Sequence, residues 1–149
     1  MINGTTNIRN VEILLVEDNP GDIALAKKAL SNSKLINNLN IVTDGEEAIA
    51  YLYKKGQYKN AIRPDLILLD LNLPKKSGQE VLSEIKSDED LKRIPVVILT
   101  TSREKKDILQ SYDNYANCYI TKPVDLLNFQ EVVSSIENFW FSIVVLPAC

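Results

Sequence analysis

Apolar residues in this chain fall into short, nearly unbroken runs, separated by longer stretches in which they recur at helical spacing. Val11 to Val16, apolar except for Glu12, reads as a strand buried on both faces. Asn19 and Pro20 then supply an N-cap and a proline at the first helical position, predicting a helix through about Leu30. Leu39 to Thr43 reads as a second strand. Asp44-Gly45 turns from it into the helix EEAIAYLYKK, which stops at Gly56. Asp65 to Leu69 forms a third strand, Ser77-Gly78 opens the helix QEVLSEIKS, and Pro95 to Thr100 forms a fourth strand. A helix over Arg103 to Tyr115, a short strand about Tyr119-Ile120 and a last helix from Leu126 to about Phe141 complete the series.

Strand and helix thus alternate five times, which predicts an α/β fold: a doubly wound sheet of five parallel strands with helices on both faces. Crossovers between parallel strands are right-handed, so few topologies remain. A topological switch near the first and third strands fits the polar residues at their ends. Residues 11–141 read as one domain, with a loose tail over 1–10 and an apolar tail over 142–149. The 149 residues suffice for a single core without staples.

Composition narrows the function classes. The chain is 45% hydrophobic and 25% charged, as an ordinary globular domain is. Its net charge of −3 lacks the basic footprint of nucleic-acid binding. No apolar stretch approaches the roughly 18 residues of a membrane span. The opening MINGTTNIRN has neither the basic start nor the apolar centre of a signal peptide. Cys118 and Cys149 form no disulfide framework and no metal-like spacing, so the expected location is cytoplasmic. Histidine is absent, which excludes a phosphohistidine donor, a His-based nucleophile system and a His-containing metal site.

The chemistry sits where the apolar runs end. Glu17, Asp18, Asp70, Thr100 and Lys122 each lie at or just beyond the close of VEILLVED, LILLDLN, VVILTTS or CYITKP. In an open α/β sheet, ligands bind outside the carboxyl ends of the strands. Taken alone, Glu17-Asp18 would only favour the dipole of the helix that follows. Asp70 is harder to dismiss, because it interrupts a buried apolar segment and an unpaired buried carboxylate is costly. Clustered carboxylates call for a cation. Mg²⁺ is the expected one, being small, hard and selective for oxygen, with Asp18 and Asp70 as ligands, Glu17 binding directly or through water, and the Asn72 carbonyl as a further oxygen. A hydroxyl and an amine, Thr100 and Lys122, suit phosphate oxygens. Together these groups suggest phosphoryl transfer to an aspartate.

These residues, in this order and spacing, resemble the receiver domains of two-component response regulators. The resemblance runs from about Val11 to Phe141 and includes Asp70 in LLDLNLP, Gly78 eight residues later, Thr100, Tyr119 and Lys122-Pro123. The segment RPDLILLDLNLPKKSGQEVLSEIKSDEDLKRIPVVILTTS is similar to the cyanobacterial phytochrome-associated single-domain regulators, as is the apolar tail after FWF. The resemblance implies a flavodoxin-like strand order 2-1-3-4-5. It implies that Asp70 accepts phosphate from a phosphohistidine on a sensor histidine kinase of phytochrome type, with Glu17, Asp18 and the Asn72 carbonyl holding Mg²⁺. Thr100 and Lys122 would contact phosphate oxygens, and Tyr119 would be an aromatic switch following Thr100. Thr101 stands where many members carry Ala or Gly, and its bulk bears on access to the phosphoacyl group.

On this reading the protein is a phosphorelay signalling module and not an enzyme, although it assists its own aspartyl phosphorylation and dephosphorylation. A haloacid-dehalogenase-type phosphatase also uses an aspartate after an apolar strand, but it wants a second acid two residues on, where this chain has Asn72. A pseudo-receiver that only binds partners would not need the intact constellation. The last helix carries an apolar stripe from Phe129 to Trp140, and Phe141, Ile143, Val144, Val145 and Leu146 extend it. A homodimer is expected there, through Phe139, Trp140, Phe141, Val144 and Leu146, the alternative being a tail folded back on its own domain. Contacts with nucleic acid or membrane are not expected.

Overall fold

The computed structural model describes residues 10–34, 36–101, 105–113, 115–116, 118–122, 130–131, 133–135 and 137. Its elements run β1 (Val11–Val16), α1 (Pro20–Ser31), β2 (Asn37–Val42), α2 (Gly45–Leu52), β3 (Leu66–Leu69), α3 (Gly78–Ser87), β4 (Val96–Thr100), α4 (Lys105–Asp113) and β5 (Cys118–Thr121). Single 3-10 turns lie at Gly56–Tyr58 and Leu91–Arg93.

Every residue of β1, β3 and β4 is buried, and alternation divides them between two cores. Val11, Ile13, Leu15, Leu66, Leu68, Val97 and Leu99 pack with Ala26, Ala29 and Leu30 of α1 and with Val133. Leu14, Val16, Ile67, Leu69, Val96 and Ile98 pack with α2 through Ala48, Tyr51 and Leu52, and with α3 through Val81, Leu82 and Ile85. Both faces are therefore apolar, which is why these strands read as continuous runs. Each fully buried Leu or Ile contributes about 1.5–3 kcal/mol before entropy is set against it.

The strands are parallel, in the order β2-β1-β3-β4-β5. Through β2-β1-β3-β4 this is the expected doubly wound arrangement, with the switch between β1 and β3. The fifth strand runs beside β4 in a register from Val97↔Cys118 to Thr100↔Thr121.

Element ends depart from the sequence pattern for local reasons. The second strand begins at Asn37 rather than Leu39, because Asn38 stands opposite Glu12 and donates its side-chain amide to that carboxylate at 2.6 Å. The third begins at Leu66, since the Asp65 side chain instead accepts the Glu12 N–H at 2.9 Å. Helix α2 stops at Leu52, four residues short of Gly56. Lys54, at φ 57°, takes the left-handed position of a Schellman cap, with Lys54 N–H donating to Tyr51 O and Lys55 N–H to Ala50 O. Tyr115, at φ 65°, lies past the end of α4. Helix α3 opens with Ser77 and Glu80 in a reciprocal capping box. Residues 130–131, 133–135 and 137 are helical, within the span expected of the last helix. The expected dimer residues Phe139, Trp140, Phe141, Val144 and Leu146 lie outside the described residues, as does Pro123.

Candidate functional site

Three of the polar residues singled out in the sequence are the first residues past their strands, and each extends the sheet ladder by one bond. Glu17 N–H donates to Val42 O at 3.0 Å, Asp70 N–H to Val16 O at 3.0 Å and Lys122 N–H to Thr100 O at 2.6 Å. The backbone that carries the acids and the amine is thus held by the neighbouring strand.

Glu17, Asp70, Thr100 and Lys122 are buried, and Asp18 is exposed. One carboxylate oxygen from each of Glu17, Asp18 and Asp70 lies within 4.8 Å of the other two. Lys122 Nζ is bonded to Glu17 Oε1, donates to Asp22 Oδ2 at 2.9 Å and stands 3.5 Å from Asp70 Oδ2. Glu17 Oε2 accepts from Asn19 N–H at 3.2 Å. Burial is the main cause that pushes the Glu17 carboxyl up to about 7, and the Asp70 charge adds to it, against the Lys122 hydrogen bond and charge and the Asn19 N–H. Burial alone would lower the Lys122 ammonium, but the bonds to Asp22 and Glu17, with the charges of Asp70 and Glu17, outweigh it and raise the group. The donor set is all hard oxygen, without nitrogen or sulfur, and fits a divalent cation such as Mg²⁺ or Mn²⁺. The amine offers a second positive charge beside that set.

The loop after Asp70 is fixed from several sides. Asn72 N–H donates to Asp70 Oδ1 at 3.2 Å, and its side-chain amide donates to Thr100 Oγ1 at 3.3 Å and Thr101 Oγ1 at 3.0 Å. Thr101 is exposed, so this bridge joins the β3 and β4 ends at the rim of the site. Gly78 N–H donates to Leu71 O at 2.9 Å. A Cβ at Gly78 would fall 2.2 Å from Asp70 O and 2.5 Å from Leu71 Cα, so only glycine lets α3 start against this backbone. Tyr119 is half-buried and packs against the core on the α2/α3 face.

The structure therefore gathers Glu17, Asp18, Asp70, Thr100 and Lys122 at one sheet edge, with Asn72 beside them. Two features escape sequence reasoning. Asp22 bonds to a lysine 100 residues away, although its place in the first turn of α1 suggests only a dipole role. The Asn72 side chain bridges two threonines, where only its carbonyl drew notice. Its position two residues past Asp70 was the available signal. Among the described residues no helix is long and apolar enough to cross a membrane.

Comparison with known proteins adds independent weight. Residues 13–134 match the response regulator receiver domain family. Response regulator Rcp1 of Synechocystis sp. is 52% identical over 136 residues, covering 91% of this chain and 92% of that protein. The solved structure of the phosphorylated cyanobacterial phytochrome response regulator RcpA is similar at 57% identity and a TM-score of 0.83, covering 90% of this chain and 96% of that one. The Mn²⁺-bound form of Rcp1 is similar at 51% identity and a TM-score of 0.81, covering 87% and 94%.

Proposed function

The chain belongs to the response regulator receiver domain family, and from that premise we propose that it accepts a phosphoryl group on Asp70 from a phosphohistidine of a sensor kinase. The observation that carries this reading is the position of Asp70: within 4.8 Å of the Glu17 and Asp18 carboxylates in the oxygen cluster, and 3.5 Å from the Lys122 ammonium. The chain's similarity to the cyanobacterial phytochrome response regulator RcpA supports a kinase of phytochrome type.

An Asp70 oxygen attacks phosphorus, the P–O bond forms as the P–N bond to the kinase imidazole breaks, and the imidazole leaves with the electron pair. The products are an acyl phosphate and a free histidine on the kinase. Mg²⁺, held by Glu17, Asp18 and Asp70 with the Asn72 carbonyl, would neutralise charge on the phosphoryl oxygens. Thr100 and Lys122 donate to those oxygens, so catalysis here consists of positioning and charge stabilisation. Thr100 moving toward the phosphoryl group leaves space for the Tyr119 ring, and the altered surface is read by a protein partner. A charge-assisted contact of about 1.5–3 kcal/mol suffices to shift a two-state population tenfold or more. The protein acts in the cytoplasm as a signalling switch, with no nucleic-acid or membrane contact in the proposal.

Incubation with Mg²⁺ and a kinase carrying radiolabelled phosphohistidine is expected to label the protein in an acid-stable, hydroxylamine-labile form. Asp70→Asn is expected to take up no label. Labelling of that variant at the wild-type rate would overturn the assignment.

A further inference from the structure

Lys122 has more than one counterion, and the two it contacts most closely among the described residues differ in kind. Glu17 shares its carboxylate between the lysine and the oxygen cluster it forms with Asp18 and Asp70. Asp22 stands on the first turn of α1, where its own N–H donates to the N-cap Asn19 Oδ1 at 3.1 Å. Its carboxylate accepts a hydrogen bond from Lys122 Nζ at 2.9 Å, whereas Asp70 lies at 3.5 Å, beyond ordinary N–H···O length. The Lys122 side chain is 5% exposed and that of Asp22 is 33% exposed, so Asp22 joins a buried ammonium to the rim of the site.

With a divalent cation held by Glu17, Asp18 and Asp70, the Glu17 carboxylate would be drawn into that set and the neighbouring ammonium repelled. Lys122 then needs a negative partner outside the metal set. We infer that Asp22 is a positioning residue that keeps Lys122 at the phosphoryl group when Glu17 is engaged by metal, an inference that rests on the acceptor role of Asp70. An ammonium has three donors, so it can serve Asp22 and a phosphoryl oxygen at the same time. The competing account is that Asp22 merely favours the α1 dipole. That role would move stability and leave phosphoryl binding alone.

Beryllofluoride, a phosphoryl mimic, separates the two accounts when its affinity is measured in saturating Mg²⁺ and the Mg²⁺ affinity is measured by itself. Asp22→Asn keeps size and removes charge. Its beryllofluoride affinity is expected to fall about threefold to tenfold, the scale of one charge-assisted contact weakened by partial exposure. Mg²⁺ affinity stays at the wild-type level, and Asp22→Glu recovers most of the loss. In a Lys122→Met background, Asp22→Asn has no further effect. Wild-type beryllofluoride affinity in Asp22→Asn would overturn the inference, as would an equal loss of Mg²⁺ affinity or an equal loss without the lysine. Thermal unfolding checks that each variant is folded, and Asp22→Ser, which also removes the charge, supplies the test should Asp22→Asn not fold. Wild-type beryllofluoride binding by Asp70→Asn would instead overturn the acceptor reading itself.

Discussion

Strand β1 carries a buried glutamate near its start and is followed by another, and the two have opposite fates. Glu12 lies in the strand and receives neutral donors from the neighbouring strand, Asn38 Nδ2 at 2.6 Å and Asn40 Nδ2 at 3.4 Å. Glu17 lies at the sheet's carboxyl edge against Lys122, beside Asp70 and Asp18. The first carboxylate is met by amides that its own sheet supplies, and that network is a finished structural unit. The second belongs to a group of like charges whose balance depends on what is bound. Burial of an acid therefore does not mark a site. What marks it is a set of charges that the surrounding protein leaves to be adjusted by a ligand.

The largest expected contrast lies in metal binding. Asp18→Ala should weaken Mg²⁺ binding by at least about tenfold, equivalent to about 1.4 kcal/mol or more, while stability stays level or rises as carboxylate repulsion is relieved. Calorimetric titration and thermal unfolding measure the two halves, and wild-type Mg²⁺ affinity would remove Asp18 from the site. Next comes the opposite pattern at Glu12. Glu12→Ala leaves the Asn38 and Asn40 amides without their acceptor and should cost about 1–3 kcal/mol in denaturant unfolding, with Mg²⁺ affinity unchanged. A Glu12 variant that loses metal and keeps its stability would collapse the comparison.

The smallest effect is a pH dependence confined to the carboxyl edge. Burial, with the Asp70 charge, raises Glu17 from its ordinary 4.5 to about 7 in the folded protein. Its contribution to metal-free stability is therefore full below about 4.5 and fades as pH rises through about 7. Metal binding must expel that proton, so Mg²⁺ affinity should climb over the same interval. Glu17→Gln should flatten the stability profile, and an unchanged profile would assign the dependence elsewhere.

Much of this was legible in the sequence, because two-sided burial makes a parallel strand conspicuous and an acid at its end more so. Val11–Val16, Leu66–Leu69 and Val96–Thr100 announce themselves, and with them Glu17, Asp70 and Thr100. The weaker β2 begins two residues earlier than its pattern suggests, since Asn37 and Asn38 have poor strand propensity and Asn38 is held by Glu12 across the ladder. The end of α2 was misread because Lys54, not Gly56, takes the left-handed cap. Asp22 stayed hidden for another reason. Its partner is set by how α1 and the end of β5 meet in space, and no local pattern encodes a contact across 100 residues.

The glycine at the head of α3 also sets how far this sequence can drift. A methyl group at position 78 would have to displace the Asp70 carbonyl, and the carboxylate on that residue would be displaced with it. In a pool of random variants selected for phosphoryl acceptance, position 78 should stay glycine as strictly as position 70 stays aspartate. Gly56, although at φ 57°, has nothing within 4 Å of a Cβ and can pass to asparagine, which tolerates that backbone. Evolvability at this edge is thus limited by a gap one methyl wide as well as by the charged groups beside it.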